Sequence, residues 1–146
     1  MSEDTDTRGE VRAVVAGHGD FAVGMISAVD QITGRGAVFV AMSNRGLGPA
    51  EIEARLRALL AETGATAVFT DLPAGSVTIA ARRAARDLPM LVVVTGTNLA
   101  TLLDFAFHGE LAATEAAEHA CDKGRQSIAI HAASLRGLPH GSPSGD

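Results

Sequence analysis

Four short apolar runs organise this chain, separated by stretches whose apolar residues recur at helical spacing. Residues 11–17 are apolar and valine-rich apart from Arg12. Residues 36–42, 66–70 and 89–95 repeat that character. Runs this continuous suit strands covered on both faces. After the first run, Phe21, Met25, Ala28, Val29 and Ile32 share a helical face, Asp20 is placed to cap that helix, and Gly34 ends it. Pro49 stands at a first helical position. Ile52, Leu56, Leu59 and Leu60 then form a stripe, with Glu51, Glu53, Arg55 and Arg57 outside it and Gly64 closing it. A third helix is predicted from Ser76 or a neighbour through Arg86, with Arg82, Arg83 and Arg86 on its polar side. Asn98 is placed to cap a very apolar fourth helix that Gly109 ends. Residues 111–123 read as a fifth, ended by Gly124, and residues 127–132 (SIAIHA) as a short last strand.

This alternation predicts an α/β fold: a doubly wound, mainly parallel four-stranded sheet with helices on both faces. The expected strand order is 2-1-3-4. Residues 11–135 are read as one domain. The polar residues 1–10 and the Gly, Ser and Pro-rich residues 136–146 are expected to be mobile. The last strand stands outside the alternation and is expected to add to a sheet edge, of its own chain or of a partner subunit.

Composition narrows the possible functions. Of 146 residues, 47% are hydrophobic and 20% charged, which suits a globular domain. A net charge of -5 argues against a nucleic-acid backbone binder. Aromatics at 3%, without Trp or Tyr, argue against base stacking. No signal-peptide pattern or membrane-length apolar run is present, so a cytoplasmic location is expected. The single Cys121 excludes an intrachain disulfide and reads as a small packed residue. His108 falls at a helix end, His119 on a solvated helix face, His131 in the last strand and His140 in the tail. None stands at zinc-ligand spacing from another, so no metal site is predicted.

The candidate chemistry lies in the loops. In a doubly wound sheet, ligands bind beyond the carboxyl ends of the strands, where strand order reverses. The order 2-1-3-4 sets that point between strands one and three. Their loops carry His18, within Gly17-His18-Gly19-Asp20, and Asp71. A carboxylate on one imidazole nitrogen fixes the tautomer, frees the other nitrogen to attack, and stabilises the cation that results. Backbone N–H groups at Gly19 and at Gly75-Ser76 would hold phosphate oxygens. Ser76 serves equally as a helix cap, and Asp71 could simply cap the third helix. The parts suit a transient phosphohistidine without metal or organic cofactor.

Three motifs in order carry a resemblance: His18-Gly19-Asp20-Phe21-Ala22-Val23-Gly24, Thr70-Asp71-Leu72-Pro73-Ala74-Gly75-Ser76 and Thr95-Gly96-Thr97-Asn98-Leu99. Over residues 11–132 the chain resembles the IIA component of the mannose-family sugar phosphotransferase system, with the N-acetylgalactosamine-type branch most similar. The resemblance implies a cytoplasmic homodimer that exchanges a C-terminal strand. It implies that His18 accepts a phosphoryl group from phospho-HPr and passes it to a IIB component during sugar uptake, with Asp71 orienting the histidine. It sets contact with the membrane only through other transporter components. Two positions depart from the family pattern. Ala74-Gly75-Ser76-Val77 stands where Gly-Gly-Ser-Pro is common, and Ala100 replaces the proline of Asn-Leu-Pro.

Other readings stay open. Gly17-His18-Gly19-Asp20-Phe21-Ala22 fits G-x-G-x-x-A, a dinucleotide-binding variant. Met42-Ser43-Asn44-Arg45 stands where that fold expects an acidic residue, although Arg45 would suit the 2′-phosphate of NADP. A regulatory domain without phosphotransfer, or a carrier serving dihydroxyacetone kinase, completes the alternatives.

Overall fold

The computed structural model describes residues 10–135. The mobility expected of residues 1–9 and 136–146 lies outside the described residues. In chain order the elements are β1 (Ala13–Gly17), α1 (Phe21–Thr33), β2 (Phe39–Ser43), α2 (Pro49–Thr63), β3 (Ala67–Thr70), α3 (Ser76–Asp87), β4 (Val92–Val94), α4 (Leu99–Phe107) and α5 (Ala113–Gln126). The sheet has the order β2-β1-β3-β4, as expected, and every pairing is parallel. Val15 stands beside Ala41 on one side and Phe69 on the other, which keeps the carboxyl ends of β1 and β3 level.

Alternation along β1 divides the core between the two faces of the sheet. Ala13 and Val15 pack with Phe39, Phe69, Leu102 and Phe105 under α1, α4 and α5. Val14 and Ala16 pack with Ile52, Leu56, Val77 and Ala81 under α2 and α3. All of β1 is buried, which explains its unbroken apolar run. Arg12, the polar exception just before it, donates to the carbonyls of His108 (3.1 Å) and Leu111 (2.7 Å). It also lies over the Phe105 ring, 4.9 Å from its centroid. One side chain thereby ties the amino end of β1 to the α4–α5 connection.

Several expected elements change. Residues 36–38 form a 3-10 turn, not the start of a strand. Gly36 N–H is held by the Asp30 carboxylate at 3.0 Å, which bends the chain before β2 begins. β4 is shorter than its apolar run, because residues 89–90 turn and Leu91 N–H bonds back to Leu88 O. Residues 127–132 form no strand. Ser127 and Ile128 N–H groups are taken up by the last turn of α5, and Ile128 and Ile130 are left exposed. Among the described residues no strand pairs with the outer edge of β4.

Gly124 does not end the fifth helix; it lies inside it. Asn98 caps α4 through Thr101 N–H and donates its amide to Gly124 O at 3.0 Å. A Cβ on Gly124 would overlap Thr101 Oγ1 and crowd Asn98 Oδ1. The glycine is therefore set by the close crossing of α5 over the start of α4. Gly124→Ala is expected to destabilise the domain by about 1–3 kcal/mol, the usual cost of overpacking. Urea titrations of the two proteins would measure this, and an unchanged midpoint would refute the close crossing.

Candidate functional site

β1 runs out at Gly17 and β3 at Thr70, so the next residues on two neighbouring strands are His18 and Asp71. The two meet closely. Asp71 Oδ2 accepts the His18 backbone N–H at 2.8 Å and lies 2.8 Å from His18 Nδ1. An ionised carboxylate only accepts, so Nδ1 carries the proton and Nε2 keeps its lone pair. The carboxylate is largely buried, with 11% of its side chain exposed, whereas the imidazole is 51% exposed. The geometry thus sets an anchored anion behind a histidine whose other nitrogen is open to an incoming group.

The Asp71 carboxyl is affected in opposite senses. Burial, the largest single influence, pushes its pKa up. The His18 backbone N–H, the His18 ring and its charge, and Asp71's own backbone N–H together outweigh burial. The net result is a pKa below the ordinary 3.8, and the ionised form is favoured.

Gly17 makes this approach possible. A Cβ there would stand 2.7 Å from Phe21 Cδ2 and 2.8 Å from Asp71 Oδ2, closer than side chains tolerate. In the sequence Gly17 ends the first apolar run and opens the histidine loop; its required lack of a side chain is visible only with Asp71 beside it. Below the loop, Thr78 Oγ1 donates to Leu72 O at 2.6 Å and lies 2.8 Å from Thr70 Oγ1. These buried contacts hold the loop after β3 against the first turn of α3.

The other predicted residues fall as follows. Gly19 has φ +54° and Gly75 φ +106°, backbone that favours glycine. Gly75 is the N-cap of α3, and Ser76 is its first helical residue, not its cap. No side chain caps α3, nor does Asp20 cap α1 as expected. The Asp20 carboxylate is drawn instead to Arg45 Nη1, 3.0 Å away. Ser76 lines a cleft of about 690 Å³ between α2 and α3, with Pro49, Glu53 and Arg83. The hydrogen bonds of the described residues bring His18 and Asp71 together but do not join Ser76 to either. Arg45, which the dinucleotide reading reserved for a 2′-phosphate, lies against Gly19: a Cβ there would be 3.2 Å from its Nη2. It is the cation beside the histidine loop, and its only sequence signal was its place just after strand two.

Arg83 lies 3.7 Å from Glu53, and Arg57 pairs with Glu53 and Asp87, so part of the basic side of α3 is engaged in surface ion pairs. Asn98, in the third motif, serves the α4–α5 crossing. His119 is not merely a solvated residue. It and His108, far apart in sequence, converge on Asp104. No helix among the described residues is long and apolar enough to cross a membrane.

A doubly wound domain with a histidine–carboxylate pair at its topological switch point belongs to the α/β architectures that bind ligands beyond the carboxyl ends of their strands. The chain belongs to the mannose-type IIA family of the sugar phosphotransferase system. The family profile EIIA-man, described as PTS system fructose IIA component, matches residues 12–123. No curated protein sequence matches. Among solved structures, the mannose/sorbose-specific IIA subunit of the phosphotransferase system from Enterococcus faecalis is similar, with 25% identity and a TM-score of 0.73. That match covers 90% of this chain and 98% of the subunit. The phosphotransferase system component EIIA from Streptococcus agalactiae is 17% identical with a TM-score of 0.75, over 82% of this chain and 96% of its own. A sigma-54 interaction domain protein from Enterococcus faecalis shares the fold at 16% identity and a TM-score of 0.66, over 81% of this chain and 92% of its own.

Proposed function

We propose that the protein is a phosphoryl carrier in sugar uptake, taking the group from phospho-HPr on His18 and passing it to a IIB component. The observation that carries this reading is the double contact of Asp71 Oδ2 with the backbone and ring of His18. His18 Nε2 attacks the phosphorus, a new N–P bond forms, and the N–P bond to the donor histidine breaks. The donor imidazole leaves with the bonding pair. The phosphorylated ring, still protonated at Nδ1, is a cation that Asp71 stabilises. Because the pair stabilises rather than consumes the charge, the reverse attack by a IIB acceptor is equally open. Arg45 and the N–H groups at Gly19, Gly75 and Ser76 are the proposed partners of the phosphate oxygens. No cofactor enters these steps.

Transport is favoured over service to dihydroxyacetone kinase by the family, a fructose IIA component of the phosphotransferase system, and by the sugar-specific relative. The N-acetylgalactosamine-type branch rests on the three sequence motifs alone. The working test is incubation of the chain with phospho-HPr: an acid-labile phosphoryl group on the protein supports the reading, and an unlabelled wild type sinks it.

The proposal includes a homodimer in which residues 127–132 pair with a partner's β4. The exposed Ile128 and Ile130, at alternate positions, and the outer edge of β4, unpaired among the described residues, support it. A chain ending at Gln126 is expected to sediment as a monomer where the full chain sediments as a dimer. Equal masses for the two would reject the exchange.

A further inference from the structure

We propose that Asp104, His108 and His119 form a binding site for a divalent transition ion of the zinc class, separate from the His18–Asp71 pair of the carrier site. The residues come from two elements. Asp104 and His108 stand one helical turn apart at the end of α4, and His119 reaches them from the middle of α5. Asp104 Oδ2 lies 2.7 Å from His119 Nδ1 and 3.5 Å from His108 Nδ1. One potential ligand atom from each residue falls within 4.8 Å of the others. Ligands on a tetrahedral zinc ion, at bond lengths near 2.1 Å, stand about 3.4 Å apart. The observed separations bracket that spacing, so small side-chain rotations would open room for an ion.

The ligand set selects the ion. Two imidazoles and one carboxylate suit zinc and its transition-metal neighbours, whereas magnesium and calcium prefer oxygen throughout. The two rings lie with centroids 4.4 Å apart, so they share one small volume. The His119 side chain is 47% exposed and Asp104 only 12%, which leaves one side of the cluster open to a water ligand. The surroundings are also firm. Arg12 holds the His108 carbonyl, and an ion on His108 Nδ1 would replace the 2.8 Å contact of that nitrogen with the Asp104 carbonyl. The nearby Arg12 guanidinium opposes a second cation, so the carboxylate is needed for charge as well as for geometry.

The cluster lies at the opposite end of the sheet from the carrier site. Arg12 marks the amino end of β1 and bonds to His108, while His18 follows the carboxyl end. The length of β1, roughly 17 Å, separates the two. A bound ion would cross-link α4 and α5 without touching the phosphoryl path.

Calorimetric titration of the full chain with zinc chloride tests this. One zinc ion per chain is expected, with no uptake of magnesium and a rise in Tm in zinc. Each of His119→Gln, His108→Gln and Asp104→Asn is expected to weaken zinc binding by about tenfold or more, as losses around metal sites do. A chain carrying His18→Gln, His131→Gln, His140→Gln and Cys121→Ser together should keep the wild-type affinity. Cobalt substitution should give visible bands without thiolate charge transfer. His119 is exposed, so its variant keeps the test open even where the Asp104 variant fails to fold. Absence of zinc binding, unchanged affinity in His119→Gln, or a thiolate band that assigns the ion to Cys121 would each overturn the proposal.

Discussion

His18→Ala is expected to take up no phosphoryl group from phospho-HPr under conditions where the wild type is labelled to completion. The loss should be total, not partial, because among the described residues no second nucleophile shares the Asp71 carboxylate. The variant should still fold. The His18 ring is half exposed, and its removal forfeits one side-chain contact worth about 1 kcal/mol, leaving the backbone N–H bond to Asp71 in place. Acid-quenched and alkali-quenched labelling of both proteins, with a thermal melt beside each, separates chemistry from folding. A folded alanine variant that labels like wild type would remove His18 from the mechanism and leave the family assignment standing, since that assignment rests on residues 12–123 as a whole.

Asp71→Asn carries the second large effect, expected as a slowing of phosphoryl acceptance by roughly a hundredfold or more. The amide is nearly isosteric with the carboxylate but cannot stabilise the phosphorylated imidazolium, and its NH2 face disfavours Nδ1–H as donor. Rapid-quench single turnovers would measure the rate, and transfer at the wild-type rate would leave Asp71 only a structural role. The pH dependence of stability gives an independent check. The folded-state pKa of Asp71 lies below its ordinary 3.8, so folding is favoured by the ionised group. That stability is fully present above the ordinary value and drains away as pH falls through the lower folded value. The stability gap between wild type and Asp71→Asn should therefore be wide at about pH 6 and shrink at about pH 3. A gap that stays constant over this range would show that the His18 contacts do not favour the charged carboxylate.

The two effects differ in what they ask of the fold. His18 needs only to be presented, which a loop at a strand end does. Asp71 must be held to within a hydrogen-bond length of a residue 53 positions away. That demand falls on the parallel register of β1 and β3, on the threonine contacts below the loop, and on Gly17, which has no side chain to block the approach.

Most of the scaffold was legible in the chain because its signals are local. Buried parallel strands must be apolar at nearly every position, helices over a sheet must carry a stripe, and Pro49, Gly34, Gly64 and Asn98 mark ends by their own backbone chemistry. Strand order then followed from the alternation, and with it the pairing of His18 and Asp71. What misled was also local. Gly124 reads as a helix end because glycine usually is one, yet here its missing side chain admits Thr101. Residues 127–132 alternate like a strand, but among the described residues they pair with no sheet edge, because pairing depends on a neighbour that local pattern does not name. Asp20 reads as a cap but is claimed by Arg45, 25 positions on.

Sequence by itself therefore determined the α/β class, the strand order, the family, and the histidine and aspartate at the switch point. These follow from periodicity, from turn chemistry and from motifs in a set order. Tertiary structure alone decided which glycines are needed for close approach, and that Arg45 stands at the histidine loop. It alone brought His108 and His119 onto one carboxylate. Each of these depends on distances between residues remote along the chain, and such distances exist only once the core has packed.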